Sequence, residues 1–88
     1  MNTLINNKTE RVRAKGVRFV GRVIHVALSD GREVKLPLDK VGWLRWLAAA
    51  TPKQRSNWSI EPGGYAIYWN DLDDGIEVCH LLDLQPVA

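Results

Sequence analysis

With 88 residues, 45% of them hydrophobic, the chain can fill one core and is too short for two domains of ordinary size. Its single cysteine, Cys79, excludes an internal disulfide, so stability has to come from packing, which suits a reducing compartment and predicts a cytoplasmic protein. The net charge of +2 conceals a split: residues 1–22 hold Lys8, Arg11, Arg13, Lys15, Arg18 and Arg22 against Glu10 alone, a net +5, whereas residues 56–88 hold six carboxylates and no Lys or Arg, a net −6.

The segment from Met1 to Lys8 has no apolar run that could serve as a signal-peptide core, and no later stretch approaches membrane-spanning length, so neither secretion nor membrane insertion is expected. Residues 1–15 lack periodicity and are predicted to be a flexible basic arm, with 16–88 forming a single domain whose order begins near Val17. From Phe19 to Leu28 the chain is rich in β-branched and apolar residues; Ser29-Asp30-Gly31 and an alternating stretch from Arg32 to Leu36 come next, which predicts a hairpin. A three-residue loop with Gly31 in the left-handed region sets Leu28 opposite Arg32, Val26 opposite Val34 and Ile24 opposite Leu36. One face of the hairpin then becomes continuously apolar, while Glu33 and Lys35 point away.

Pro37 stops the strand, and from about Asp39 to Ala50 the spacing turns helical, with Asp39 as N-cap. Val41, Leu44, Leu47 and Ala48 share one arc at about 100° per residue and form a core-facing stripe. Trp46 falls outside that arc and Trp43 at its edge. Thr51-Pro52-Lys53-Gln54 is a capping box with proline at the first helical position and predicts a short second helix. Trp58 and Ile60 alternate with polar neighbours, Pro62-Gly63-Gly64 turns the chain, and Tyr65–Trp69 returns as a second hairpin; Gly75 to Leu84 reads as a short strand running into a helical turn. The fold class is therefore α+β: a small antiparallel sheet built from two hairpins and a short C-terminal strand, with one longer and one short helix on one side.

The residues offer little chemistry. Asp71, Asp73, Asp74 and Gly75 lack the alternating ligand spacing of a calcium loop and read as turn residues. Cys79 and His80 are adjacent, so their side chains diverge and cannot pair as nucleophile and base, and Cys79 is expected to be a small buried residue. No glycine-rich elbow or oxyanion nest accompanies His25. Gly63 and Gly64 are too few for a phosphate loop, and no lysine comes after them at the required place. No catalytic, cofactor-binding or metal-binding residue is predicted, and the chain is not expected to be an enzyme.

Four tryptophans are a high load for this length. Trp58 and Trp69 share strand faces with Ile60 and Ile67 and belong with the sheet. Trp43 and Trp46, with Arg45 between them and Arg55 on the next helix, are the candidate protein-contact residues, because a helix that buries Val41, Leu44 and Ala48 leaves its other face outside the core. Lys8, Arg11, Arg13, Lys15 and Arg18 are the candidate nucleic-acid contacts, since a basic arm can neutralise phosphates. The same arm could instead solubilise the chain or meet the acidic third of another copy.

Four segments in order carry a resemblance: Leu28-Ser-Asp-Gly-Arg32 with Pro37-Leu38, Ala50-Thr-Pro-Lys-Gln-Arg55 with Asn57-Trp58, Pro62-Gly-Gly-Tyr65, and Ile67-Tyr-Trp69 with Leu72-Asp-Asp-Gly-Ile76. Together they resemble the bacterial domain-of-unknown-function 2442 family, from roughly Val20 to Leu82. Gly42 departs from the pattern, in which relatives more often open the helix with proline. The resemblance implies a small α+β unit without an established catalytic activity, often encoded beside toxin-like genes or fused to a helix-turn-helix; with few residues after Leu84, the fused domain is not expected here. A non-catalytic protein-binding or regulatory module is accordingly expected, an antitoxin-like partner or inhibitor of a toxin-like or other effector protein, or a homodimer. The alternative is a nucleic-acid-binding regulator that uses the basic arm.

Overall fold

A computed structural model describes residues 11–84. Strands β1 (Ala14–Val20), β2 (Val23–Leu28) and β3 (Glu33–Pro37) form an antiparallel meander in that order. The expected register holds: Ile24 lies opposite Leu36 and Val26 opposite Val34. The Leu28 amide donates to the Arg32 carbonyl at 2.9 Å, and Gly31 closes the loop at φ +93°, a conformation that L side chains rarely adopt. Ile24, Val26, Leu28, Val34 and Leu36 are all buried, so the period-two pattern alone decides which face meets the core.

The N-terminal part of this sheet differs from the sequence reading. The run from Phe19 to Leu28 is not one strand, because it folds back at Gly21-Arg22, with Gly21 at φ +58° and Val20 opposite Val23. A largely apolar, β-branched composition hid a two-residue turn marked only by Gly21-Arg22. Order also begins before Val17. Ala14 is buried, and its amide donates to the Gly64 carbonyl at 2.7 Å while the Ser29 amide donates to the Arg13 carbonyl at 2.8 Å. Ala14 and Lys15 therefore belong to the sheet and not to an arm, with Lys15 taken up where the register slips between the Ala14–Leu28 and Gly16–Ala27 pairs. Residues 1–10 of the predicted arm, with Lys8, lie outside the described residues.

After β3 the predicted long helix is a 3-10 turn, Gly42–Leu44, leading into a single turn α1, Arg45–Ala48. Asp39 does not cap it. Its carboxylate is held instead by the Arg22 guanidinium, Nε to Oδ2 at 2.8 Å and Nη2 to Oδ1 at 2.7 Å, and the helical segment starts later, at Gly42, where no side chain caps it. The same Arg22 Nη2 donates to the Ala48 carbonyl at 2.9 Å, satisfying an acceptor at the other end of α1. The apolar stripe survives the shortening: Leu44 and Leu47 are buried, Val41 and Ala48 half-buried against the core. Burying two leucines contributes roughly 1.5–3 kcal/mol each, enough to hold a segment that would not be helical alone.

Helix α2 (Pro52–Ser56) carries the predicted capping box, with the Gln54 amide donating to Thr51 Oγ1 at 3.1 Å and the Thr51 amide to Gln54 Oε1 at 2.9 Å. Strands β4 (Trp58–Ile60), β5 (Ala66–Trp69) and β6 (Asp74–Glu77) then form a second antiparallel sheet, and β6 passes directly into α3 (Val78–Leu84). The fold is α+β as expected, but the two hairpins end in two sheets of three strands each, because β1 completes the first and β6 the second. Ile67, Trp69, Ile76, Val78 and Leu81 bring the second sheet and α3 into one core with the first.

Candidate interaction site

The residues between β3 and α2 put aromatic side chains on two sides of a very short helix, and those sides meet different surroundings. Trp43 lies in the 3-10 turn and is 39% exposed, with its ring edge-on to His80 of α3 at 6.4 Å and 64°. Arg45, next but one, is exposed. Trp46 is half-buried: it packs against the core and stands edge-to-face on Trp69 of β5, centroids 5.6 Å apart at 72°. Lying outside the helix's core-facing arc, this indole packs on the second sheet of its own protomer, a wall that one helix's periodicity does not reveal.

Arg55 is half-buried and occupied. Its Nη1 donates to the Ala50 carbonyl at 2.6 Å, its carbonyl accepts from Trp69 Nε1 at 2.9 Å, and its guanidinium stands 6.0 Å from the centre of the Phe19 ring. Those bonds tie α2 to both sheets. Of the four predicted protein contacts, then, Trp43 and Arg45 face outward, while Trp46 and Arg55 are engaged inside the protomer.

Among the described residues, the basic side chains of this region have different surroundings. The Arg11 and Arg13 guanidinium groups lie over the Tyr65 ring at 4.8 and 5.7 Å, and Arg13 Nε donates to the Tyr65 hydroxyl at 3.3 Å. Lys15 is exposed on β1, and Arg18 pairs with Glu33 at 3.5 Å. That pair covers His25, which is buried in the central strand with Nδ1 lacking a hydrogen-bond partner and 3.7 Å from Glu33 Oε1.

The acidic cluster accepts hydrogen bonds from its own turn and from its neighbours in the fold. Asp71 accepts from Asn57 Nδ2 at 2.9 Å, Asp73 from the Tyr68 hydroxyl, and Asp74 from the Gly75 amide at 2.8 Å. The Tyr68 hydroxyl is pushed above its ordinary pKa, first by the bond to Asp73 and then by desolvation and the surrounding carboxylates. Asp73 sits at φ 51°, closing the 3-10 turn Asn70–Leu72.

Cys79, expected from its residue type to be buried, is exposed. Val78 turns into the core as the strand becomes a helix, and the change of period from two to 3.6 leaves Cys79 and His80 both outside. With Glu77 they bring three possible metal-donor atoms within 4.8 Å of one another. Glu77 and Cys79 also line a groove of ≈ 470 Å³ together with Arg11, Glu61, Tyr65 and Leu82. Sequence reasoning missed this grouping because it treated Cys79 and His80 as a pair and did not include the residue two before.

These features define a small α+β domain of two three-stranded sheets that presents one exposed indole, Trp43. The chain belongs to the DUF2442 family, described as proteins of unknown function, whose model matches residues 14–86. It is similar in structure to a protein of unknown function from Rhodospirillum rubrum (TM-score 0.69, 23% identity, covering 83% of this chain and 87% of that one). It is also similar to an uncharacterized protein from Chromobacterium violaceum (TM-score 0.70, 25% identity, covering 89% of this chain and 71% of that one). No curated protein matches the sequence. Among the described residues, no helix is long and apolar enough to cross a membrane.

Proposed function

We infer that the chain is a non-catalytic protein-binding module, antitoxin-like in acting as partner or inhibitor of another protein, and that it docks through the exposed Trp43 of the segment that also exposes Arg45. A cytoplasmic, bacterial setting belongs to the same reading, supported by reliance on packing instead of disulfides.

The observation that carries the reading is the exposure of Trp43, a large residue 39% exposed, with an exposed arginine two residues on. Tryptophan and arginine are the residue types that most often anchor protein interfaces, through large area and planar hydrogen bonding. The nucleic-acid alternative loses ground by the same accounting, since Arg18 is paired with Glu33 and Arg11 and Arg13 lie over Tyr65.

The test is purification of the tagged chain from its native host, with the Trp43→Ala variant in parallel. A stoichiometric protein partner that is retained by the parent chain and lost from the variant supports the reading. A parent chain that emerges alone and monomeric, or a partner held equally by both, overturns it.

A further inference from the structure

We propose that Glu77, Cys79 and His80 form a binding site for a divalent transition metal of the zinc class, with one coordination position left open to water or to a group brought from outside the chain. The proposal goes beyond the docking reading and does not depend on it.

Three donors of different chemistry meet where β6 becomes α3. Cys79 Sγ is 3.7 Å from Glu77 Oε1, His80 Nε2 is 4.0 Å from the same oxygen, and all three donor atoms fall within 4.8 Å. Tetrahedral zinc, with bonds of about 2.3 Å to sulfur and about 2.0–2.1 Å to nitrogen and oxygen, sets its ligands roughly 3.3–3.6 Å apart. The two contacts to Glu77 Oε1 are thus within about an ångström of what a bound ion requires, and the remaining donor pair, no more than 4.8 Å apart, has a little further to close. All three side chains are exposed, so they can close that gap by rotation without disturbing packing.

The donor set also selects the metal. One thiolate, one imidazole and one carboxylate suit zinc and its borderline neighbours, whereas calcium and magnesium take oxygen alone. Coordination breaks the Cys79 S–H bond and forms a metal–sulfur bond, the proton passing to solvent, so binding is stronger at higher pH. Nothing is oxidised or reduced. Glu61, on the wall of the same groove as Glu77 and Cys79, adds negative charge; Arg11, on that wall too, opposes it but is drawn over the Tyr65 ring.

The chain is well suited to an unambiguous test. It contains one cysteine, so any metal–thiolate band arises from Cys79, and its other histidine, His25, is buried. Trp43 lies edge-on to His80 and reports on the site by fluorescence.

Cobalt(II) titrated into the reduced full chain should give a sulfur-to-cobalt charge-transfer band saturating at one ion per chain, with quenching of tryptophan fluorescence, and zinc should displace it. Cys79→Ser should abolish the band, and His80→Ala and Glu77→Gln should each weaken binding by more than the roughly 10–100-fold that loss of an outer-shell partner costs. Trp43→Phe should keep the band and lose most of the quenching. No saturable band, a stoichiometry of two chains per ion, or unchanged affinity in His80→Ala would overturn the site. Circular dichroism of each variant separates loss of a ligand from loss of the fold.

Discussion

Trp46 stands edge-to-face on Trp69, ring centroids 5.6 Å apart, and this contact joins the α1 turn to the middle strand of the second sheet. Trp69 is fully buried, and its Nε1 donates to the Arg55 carbonyl at 2.9 Å, so one indole touches α1 and bonds α2 from a strand paired with both β4 and β6. Replacing it should be the most damaging core change. Trp69→Ala is expected to cost roughly 3–5 kcal/mol, by cavity formation and an orphaned carbonyl, measured by urea denaturation.

Gly75 is set by close approach and not by its own backbone. A Cβ there would lie 2.6 Å from the Ile67 carbonyl oxygen on the adjacent strand and 3.1 Å from the Tyr68 ring. Because the nearest obstacle is a strand's backbone, the strands must part to admit it. Gly75→Ala should destabilise by roughly 1–3 kcal/mol in the same assay, whereas Gly16→Ala, with open space around the added atom, should not show a steric penalty.

The capping box gives a smaller, local effect. Thr51→Ala removes the acceptor for the Gln54 amide and should lower stability by about 1 kcal/mol, measured as a shift in the denaturation midpoint.

Acid should act on two aspartates. Hydrogen bonds from the Arg22 guanidinium hold the Asp39 carboxyl below its ordinary pKa, and the Arg32 backbone amide, then its side chain, does the same for Asp30. A carboxylate whose folded pKa is depressed stabilises the fold fully above its unfolded value of about 3.9 and loses that contribution as pH falls through the lower folded value. Stability of the parent chain should therefore decline on acidification below about pH 4. In Asp39→Asn the decline should be shallower, and an identical pH profile would show that the Arg22 contact contributes nothing.

Much of the architecture is legible in the sequence where two signals coincide. The hairpin register rests on an apolar alternation and a glycine able to take positive φ, and α2 on a complete capping box. The outcome is different where one signal stands alone. Gly21-Arg22 turns the chain inside a run of valines, and Asp39 reads as a cap although its real partner, Arg22, lies seventeen residues away. Trp46 illustrates the same limit for the site, since helical spacing reports one face of one element and says nothing of a second sheet that covers the other. Trp43, read as lying at the edge of the stripe, and Arg45 are exposed, whereas the meeting of Glu77, Cys79 and His80 depends on a strand-to-helix transition whose position the sequence leaves open.

The docking reading reduces to whether the exposed indole binds a partner or only decorates the surface. Trp43 is outside the buried core, so its replacement by alanine should leave thermal unfolding nearly unchanged, within about 0.5 kcal/mol as for surface sites generally. Titration calorimetry of the co-purified partner against the parent chain and Trp43→Ala, with unfolding of both recorded alongside, decides between the two. An interface anchor worth about 2 kcal/mol should lose roughly thirtyfold in affinity, or more, at unchanged stability. Equal affinity in the two proteins, or a loss matched by destabilisation of the variant, would contradict docking through Trp43.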